Sequence, residues 1–425
     1  MVGWGGDGGA MLRRVSWLRE GPLANRNYAL FLAGAFVSSI GSWMQMVALG
    51  WTVLQLSNST FLLGVLGFVQ LAPVLLLGAV GGALADRVDR RRFLFKTQTI
   101  AALLGVLLAA LQFAGYATVP VLLAVAAANG TISALNSPAW MSFIKELVGP
   151  EQLRRAVAIN SARFNLSRII GPAIGGWLLV VAGPAACFTV YAISFIGVLA
   201  ALAAMRPGRP SVPIASGVPT KGVLAVARNP QLRAVLLPAL GLTILVMPYS
   251  NFLPAMARDV FHTGAGGLSL LLTATGIGAI SGAILSGLPF VARKPRQALA
   301  VLQVVAGGML AAFAWSPTFA LGLACIVVFG AAVIGYMTTA NATIQLAAEP
   351  GTEGRALGLW IIVNQGMVPL GSLLIGAATN VVSVRTALGC AGLGCVICGV
   401  VAVYVARRAT DIPSLKRPLG TRPVA

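Results

Sequence analysis

The sequence predicts an all-α membrane protein: twelve transmembrane helices arranged as two six-helix bundles. Three observations predict this. Apolar residues make up 58% of the 425-residue chain and charged residues only 9%, against about 25% charged in a soluble domain. The mean hydropathy is +0.88, so the chain is read as apolar spans joined by short loops. The basic residues, finally, fall almost entirely on alternate turns.

The apolar runs cover residues 29–56, 61–85, 94–114, 118–139, 156–181, 184–205, 233–257, 264–291, 297–315, 318–340, 356–379 and 386–406. Each has roughly 20 residues or more, which at about 1.5 Å per residue crosses the hydrocarbon core of about 30 Å. The 50 glycines suit close packing of spans. Basic residues mark the N-terminal tail, residues 86–96, 145–155, 206–233 and 293–296, Arg355 and the C-terminal tail. The opposite turns hold only Arg258 and Arg385. The positive-inside rule therefore places both termini and the central loop in the cytoplasm, and the protein as multi-pass in the cytoplasmic (inner) membrane. The net charge of +20 sets topology and implies no nucleic acid.

The cysteines Cys187, Cys325, Cys390, Cys395 and Cys398 all lie in apolar runs. Cys395 and Cys398 form a CxxC without a second pair. With His262 the sole histidine, no metal site or cofactor is expected. No cleavable signal peptide is expected, and Met1 and Met11 are both candidate starts.

Residues 206–232 form the longest connection. "RPGRPSVPIASGVPTKG" is a Pro-, Gly- and Ser-rich linker, and "VLAVARNPQLRA" is a candidate surface helix. The expected organisation is a tail over 1–27, a bundle over 28–205, the linker over 206–232, a second bundle over 233–407 and a tail over 408–425. The halves echo one another: Pro150 and Arg155-Ala156 recur as Pro350 and Arg355-Ala356, each at the entrance to the fifth span of its half. Such duplication is common among transporters.

Between the second and third spans lies "GGALADRVDRRRFL". Its arginines serve as a positive-inside anchor, but its aspartates and the preceding Gly78, Gly81 and Gly82 need another explanation. Glycines there let the second span approach a neighbour, so that Asp86 can face the positive end of another helix. The pattern G-x-L-A-D-R-x-x-R-R-x-x-L, met by Gly82, Leu84, Ala85, Asp86, Arg87, Arg90, Arg91 and Leu94, resembles a signature of the major facilitator superfamily. That family often has Gly where Asp89 stands. The resemblance implies a gate latch in which Asp86 meets the backbone around Glu353 to Leu357. "LANRNYALFLAGAFVSSIGSWMQMVALGWTVLQLSNS" and "NSPAWMSFIKELVGPEQLRRAVAINSARFNLSRIIGPAIGGWLL" resemble the branch holding siderophore exporters and macrolide efflux proteins.

In the fifth span, Gly171, Pro172, Gly175 and Gly176 of "GPAIGG" resemble the helix 5 signature of antiporters. Pro172 permits a bend and the glycines give a smooth packing face. Arg163 and Arg168 lie about 10 and 18 Å into the membrane from Ala156. A central arginine costs about 2.5–3.5 kcal/mol on insertion scales. At 100° per residue the two diverge: Asn160, Arg163 and Ser167 share one face, Ser161, Asn165 and Arg168 another. One set lines a cavity and the other contacts neighbouring helices. Arg163 is also readable as a packing residue that snorkels to the surface. Arg168 has a reading as an attractor of an anionic or oxygen-rich substrate, beside one as a structural donor to carbonyls. Further polar candidates are Gln45, Gln70, Asn129, Asn136, Asn341, Asn364 and Gln365, with Trp43 and Trp51 able to stack on a flat ligand; interhelical hydrogen bonding is the alternative for each.

No GxxxxGK[ST] motif is present, so the chain is not expected to be an enzyme that hydrolyses ATP. Its ten acids, Asp7, Glu20, Asp86, Asp89, Glu146, Glu151, Asp259, Glu349, Glu353 and Asp411, all lie at or beyond span ends. Asp259 is the proton-coupling candidate, and proton antiport enters through the resemblance alone. The expectation is a monomeric secondary transporter exporting a lipophilic drug or siderophore-like metabolite by alternating access, with the lipid bilayer and a small-molecule substrate as partners. An importer or facilitator of a small anion and a non-transporting membrane sensor are the alternatives.

Overall fold

A computed structural model describes residues 21–85, 87–205, 229–287, 294–348 and 352–408. They are helical nearly throughout, with no strand among the described residues. Helices α1 (Arg26–Ser57), α2 (Thr60–Ala85) and α3 (Arg90–Phe113) come first. A helical run of 86 residues follows, Val119–Ala204. Straight, it would measure about 130 Å, several times the membrane core. It is broken at Gly149 (φ 73°, ψ 175°) and Gly183 (φ 76°, ψ −178°), a region open in practice to glycine alone. Pro150 and Pro184 stand next, where a helix's first turn has no use for the missing N–H. The run is therefore three helices: α4 (119–148), α5 (150–182) and α6 (184–204). The charged stretch 140–155, expected as a connection, is helical except at this glycine corner.

In the second half, α7 runs over Pro230–Val260 and ends in a π turn, Met256–Val260. Helices α8 (Gly264–Leu285), α9 (Pro295–Trp315) and α10 (Phe319–Ala347) follow. Helix α11 passes from Glu353–Ile361 through a second π turn, Ile362–Gly366, to Val368–Ala378, and α12 is Val384–Arg408. Ten candidate membrane spans result when the 86-residue run is counted once. The linker 206–228, with most of the candidate surface helix, lies outside the described residues.

The chain divides into two compact units, Met1–Thr52 with Leu76–Ala215, and Val53–Leu75 with Ser216–Ala425. In the first, Tyr28, Phe31, Leu94, Phe143, Phe195 and Leu202 form a buried cluster where α1, α3, α4 and α6 meet. Phe31 lies 4.3 Å from Trp140 and edge-on to Phe143 at 5.1 Å. Tyr28 donates its hydroxyl to Ala156 O at 2.8 Å. Thr97 donates to Asn136 Oδ1 at 2.6 Å and Tyr191 to Asn129 Oδ1 at 3.0 Å. The two asparagines thus take the interhelical alternative. In the second unit, α8 and α10 meet at glycines, and a Cβ on Gly278 would come within 2.0 Å of Val327 O. Residues 53–75 belong to this unit because Gly64 lies against Gly376 of α11 and Arg258 donates to Leu54 O at 3.0 Å.

The glycine corner supplies a stability prediction. Gly149→Val is expected to cost about 1–3 kcal/mol, the usual penalty for forcing a side chain into this backbone region. The measurement is the thermal unfolding midpoint in detergent. Gly78→Val, at a helical glycine with open space around it, is the control expected to unfold like the parent.

Candidate transport site

The two arginines of α5 have opposite surroundings. Arg163 is half-buried and its Nη1 donates to Ala35 O and Ser39 Oγ of α1, both at 2.6 Å. Its Nε reaches Asn160 Oδ1 at 3.3 Å, and its guanidinium carbon stands 5.7 Å from the Trp140 ring centroid. One charge thus ties α5 to α1 and to α4, by charge-assisted hydrogen bonds and a cation–π contact. Arg163→Ala is expected to destabilise the protein by about 1–3 kcal/mol, seen as a lowered unfolding midpoint, with Arg163→Lys recovering only part of it.

Arg168 lies five residues further along and makes no hydrogen bond, ion pair or ring contact among the described residues. It is half-buried. The rest of its sequence-defined face is exposed, with Asn165 donating to Ser161 O at 2.9 Å. Pro172, four residues on, carries no N–H for the Arg168 carbonyl, which loosens the helix at that level.

The "GPAIGG" glycines seat α1. A Cβ on Gly171 would stand 2.5 Å from Trp43 Cβ and 2.9 Å from Ile40 O, and one on Gly175 would stand 2.9 Å from Met44 Cα. Gly176 and Pro172 are buried beside them. Laid on this seam, the Trp43 ring comes to 5.9 Å from the Phe164 ring, centroid to centroid, tilted by 58°. Sequence reasoning missed Phe164, although it stands four residues before Arg168 and seven before Gly171, the helical spacing of one face.

Around the α2–α3 turn, Asp86 itself lies outside the described residues. Arg90 forms an ion pair with Glu146 of α4. Arg91 donates to Leu202 O at 2.6 Å and Ala203 O at 3.0 Å, at the C-terminal end of α6. Arg87 is exposed. Asp89, where the family often has Gly, has ordinary backbone angles (φ −63°, ψ 106°) and caps α3 by accepting from Arg92 N at 3.0 Å. Among the described residues, the close approach expected of the glycines belongs to Gly81 alone, where a Cβ would stand 2.7 Å from Ala134 O; Gly78 and Gly82 have none of those residues within 4 Å.

The other candidates stand on α1, α2, α7, α10 and α11. Gln45 is buried in α1, and Gln70 is half-buried in α2. Asn341 accepts from Gln345 on α10. Asn364 and Gln365 sit on the π turn of α11, Asn364 with a buried Oδ1 that has no hydrogen-bond partner among the described residues and Gln365 exposed. Such turns recur at functional sites. Asp259 pairs with the neighbouring Arg258 at 2.6 Å. Arg258 also holds Leu54 O and Asn58 Oδ1 at 3.0 Å each.

Ten apolar candidate spans with polar and cationic groups inside them define a polytopic membrane transporter. The sequence profile of the family described as transmembrane secretion effector, a branch of the major facilitator superfamily, matches residues 19–418, and the chain belongs to that family. It is 25% identical over 397 residues to the staphyloferrin A transporter of Staphylococcus aureus, covering 89% of this chain and 96% of that one. It is 28% identical over 404 residues to the enterobactin exporter EntS of Citrobacter koseri, covering 91% and 94%. Among solved structures, a POT family transporter has a TM-score of 0.72 at 11% identity, covering 91% of this chain and 97% of that one. A bacterial homologue of the lysosomal transporter Spinster has a TM-score of 0.69 at 16% identity, covering 90% and 97%. These two likenesses establish the fold.

Proposed function

We propose that the chain exports a siderophore-like metabolite across the cytoplasmic membrane by alternating access, crossing it twelve times with both termini inside and acting as a monomer. The observation that carries this reading is Arg168, a charge within a span for which the described residues supply no partner. At the centre of a span such a charge costs about 2.5–3.5 kcal/mol. An anionic, oxygen-rich substrate offsets that cost whenever it is bound. Siderophores have this character, and full-length relatives carry staphyloferrin A and enterobactin.

In this reading Arg168 contacts substrate, with Asn165 and Gln45 as further polar candidates of the first unit and Gln70, Asn341, Asn364 and Gln365 as candidates of the second. Arg163 is a fixed strut, and Asp86 with Gly82, Arg87, Arg90 and Arg91 serves gating. The test is uptake of iron-free enterobactin and staphyloferrin A into inverted membrane vesicles containing the chain. Uptake of at least one above chain-free vesicles supports the reading; uptake of neither rejects it. Asp259 is the coupling candidate, so uptake should stop when the pH gradient is collapsed or Asp259→Asn is introduced. Unchanged uptake in both cases makes the protein a facilitator.

A further inference from the structure

We propose that Trp43 and Phe164, together with Arg168, form a seat on the α1–α5 seam for an aromatic ring bearing an oxyanion, so that this transporter selects aryl over aliphatic anions. The inference rests on the reading of Arg168 as a substrate contact and goes beyond it by naming the ligand's chemistry.

The seat follows from the glycines. With no side chain at Gly171, the backbone of α1 comes close enough that a Cβ there would stand 2.9 Å from Ile40 O. The Trp43 side chain therefore lies along α5, with its Cβ at the level of Gly171 and its ring near Phe164. Arg168 falls between those two levels, four residues from Phe164 and three from Gly171, hence on the same face. At a centroid separation of 5.9 Å and a tilt of 58°, the two rings are not stacked flat on each other. Phe164 is 47% exposed and Trp43 half-buried, so ring surface is open for contact.

The chemistry is complementary on both counts. A guanidinium offers a planar fork of donors that matches a carboxylate or paired ring oxygens. Aromatic faces beside it favour a flat ring over a flexible aliphatic chain, by tilted or offset contact. Charge alone would favour the more highly charged aliphatic anion. A preference for the less charged aryl anion therefore reports the rings.

The experiment is isothermal titration of the purified full chain in nanodiscs with two probes, 2,3-dihydroxybenzoate and citrate. The expected result is that 2,3-dihydroxybenzoate binds about tenfold more tightly than citrate. Trp43→Leu/Phe164→Leu should abolish that preference while leaving citrate binding unchanged, and Arg168→Ala should lose both ligands. If the double variant is not monodisperse, Phe164→Leu alone, at a half-exposed position, is expected to shrink the preference and carries the test. Equal or tighter binding of citrate by the parent, binding of neither probe, or a preference that survives removal of the rings overturns the inference. If Arg168→Ala stops vesicle uptake while the preference survives ring removal, only the aryl seat falls. If Arg168→Ala transports normally, the reading of the transport site falls with it.

Discussion

Arg168→Ala is expected to abolish export while leaving membrane insertion and thermal stability at parental values. The guanidinium has no partner among the described residues, so its removal breaks no hydrogen bond or ion pair that holds α5 in place. It also relieves the cost of a charge within a span. What is lost is a charge-assisted contact to substrate worth about 1.5–3 kcal/mol, a factor of roughly ten to a hundred and fifty in affinity. Arg168→Lys should restore only part of transport, because an ammonium keeps the charge but not the planar fork. Arg163 in the same helix predicts the reverse. Three of its contacts reach α1 and α4, so truncation lowers the unfolding midpoint first and transport only as a consequence. Uptake by inverted vesicles and thermal unfolding, measured on both variants, separate the two. Unchanged uptake by Arg168→Ala rejects its assignment to substrate.

Much of this contrast was legible in the sequence, down to the two faces of α5. The order of apolar runs, the glycine seam and the divergence of the arginines all follow from composition and a 100° period. Which arginine would be tied down did not follow, because it depends on Ser39 and the Ala35 carbonyl of a helix more than a hundred residues away. The glycines before Asp86 show the same limit. Gly78, Gly81 and Gly82 are alike as residues, yet among the described residues only Gly81 faces a neighbouring backbone. The extension of α4 and α5 through the charged stretch 140–155 was hidden for another reason. Hydropathy marks where lipid ends, whereas the helix ends where backbone geometry changes, at Gly149.

Three arginines outside α5 share a task that the positive-inside rule does not express. Arg91 donates to carbonyls at the end of α6, Arg258 to Leu54 O near the end of α1, and Arg385 to Ala314 O and Ser316 O at the end of α9. Helix C-termini leave carbonyls unsatisfied and carry partial negative charge. An arginine there meets both needs with one side chain. Capping accounts alike for Arg91, in a turn rich in basic residues, and for Arg258 and Arg385, in turns that hold no other.

Gly175→Leu is expected to prevent formation of a monodisperse protein, and Gly175→Ala to cost about 1–3 kcal/mol. The reason is what a new Cβ would meet: Met44 Cα at 2.9 Å, a backbone atom that cannot swing aside as a side-chain terminus can. Helix α1 would have to lift from α5, drawing Trp43 off Gly171 and lengthening the 2.6 Å contacts of Arg163 to Ala35 and Ser39. Packing, the strut and the proposed aryl seat would thus fail together, since all three depend on one interhelical distance. Gly82→Leu supplies the opposite case. That glycine belongs to the α2–α3 signature, yet nothing among the described residues lies within 4 Å of where its Cβ would stand, so the variant should give a monodisperse peak at parental yield. Fluorescence-detected gel filtration of the two leucine variants decides the matter. A Gly175→Leu protein that elutes like the parent would mean that the α1–α5 seam is not held by backbone contact at these glycines.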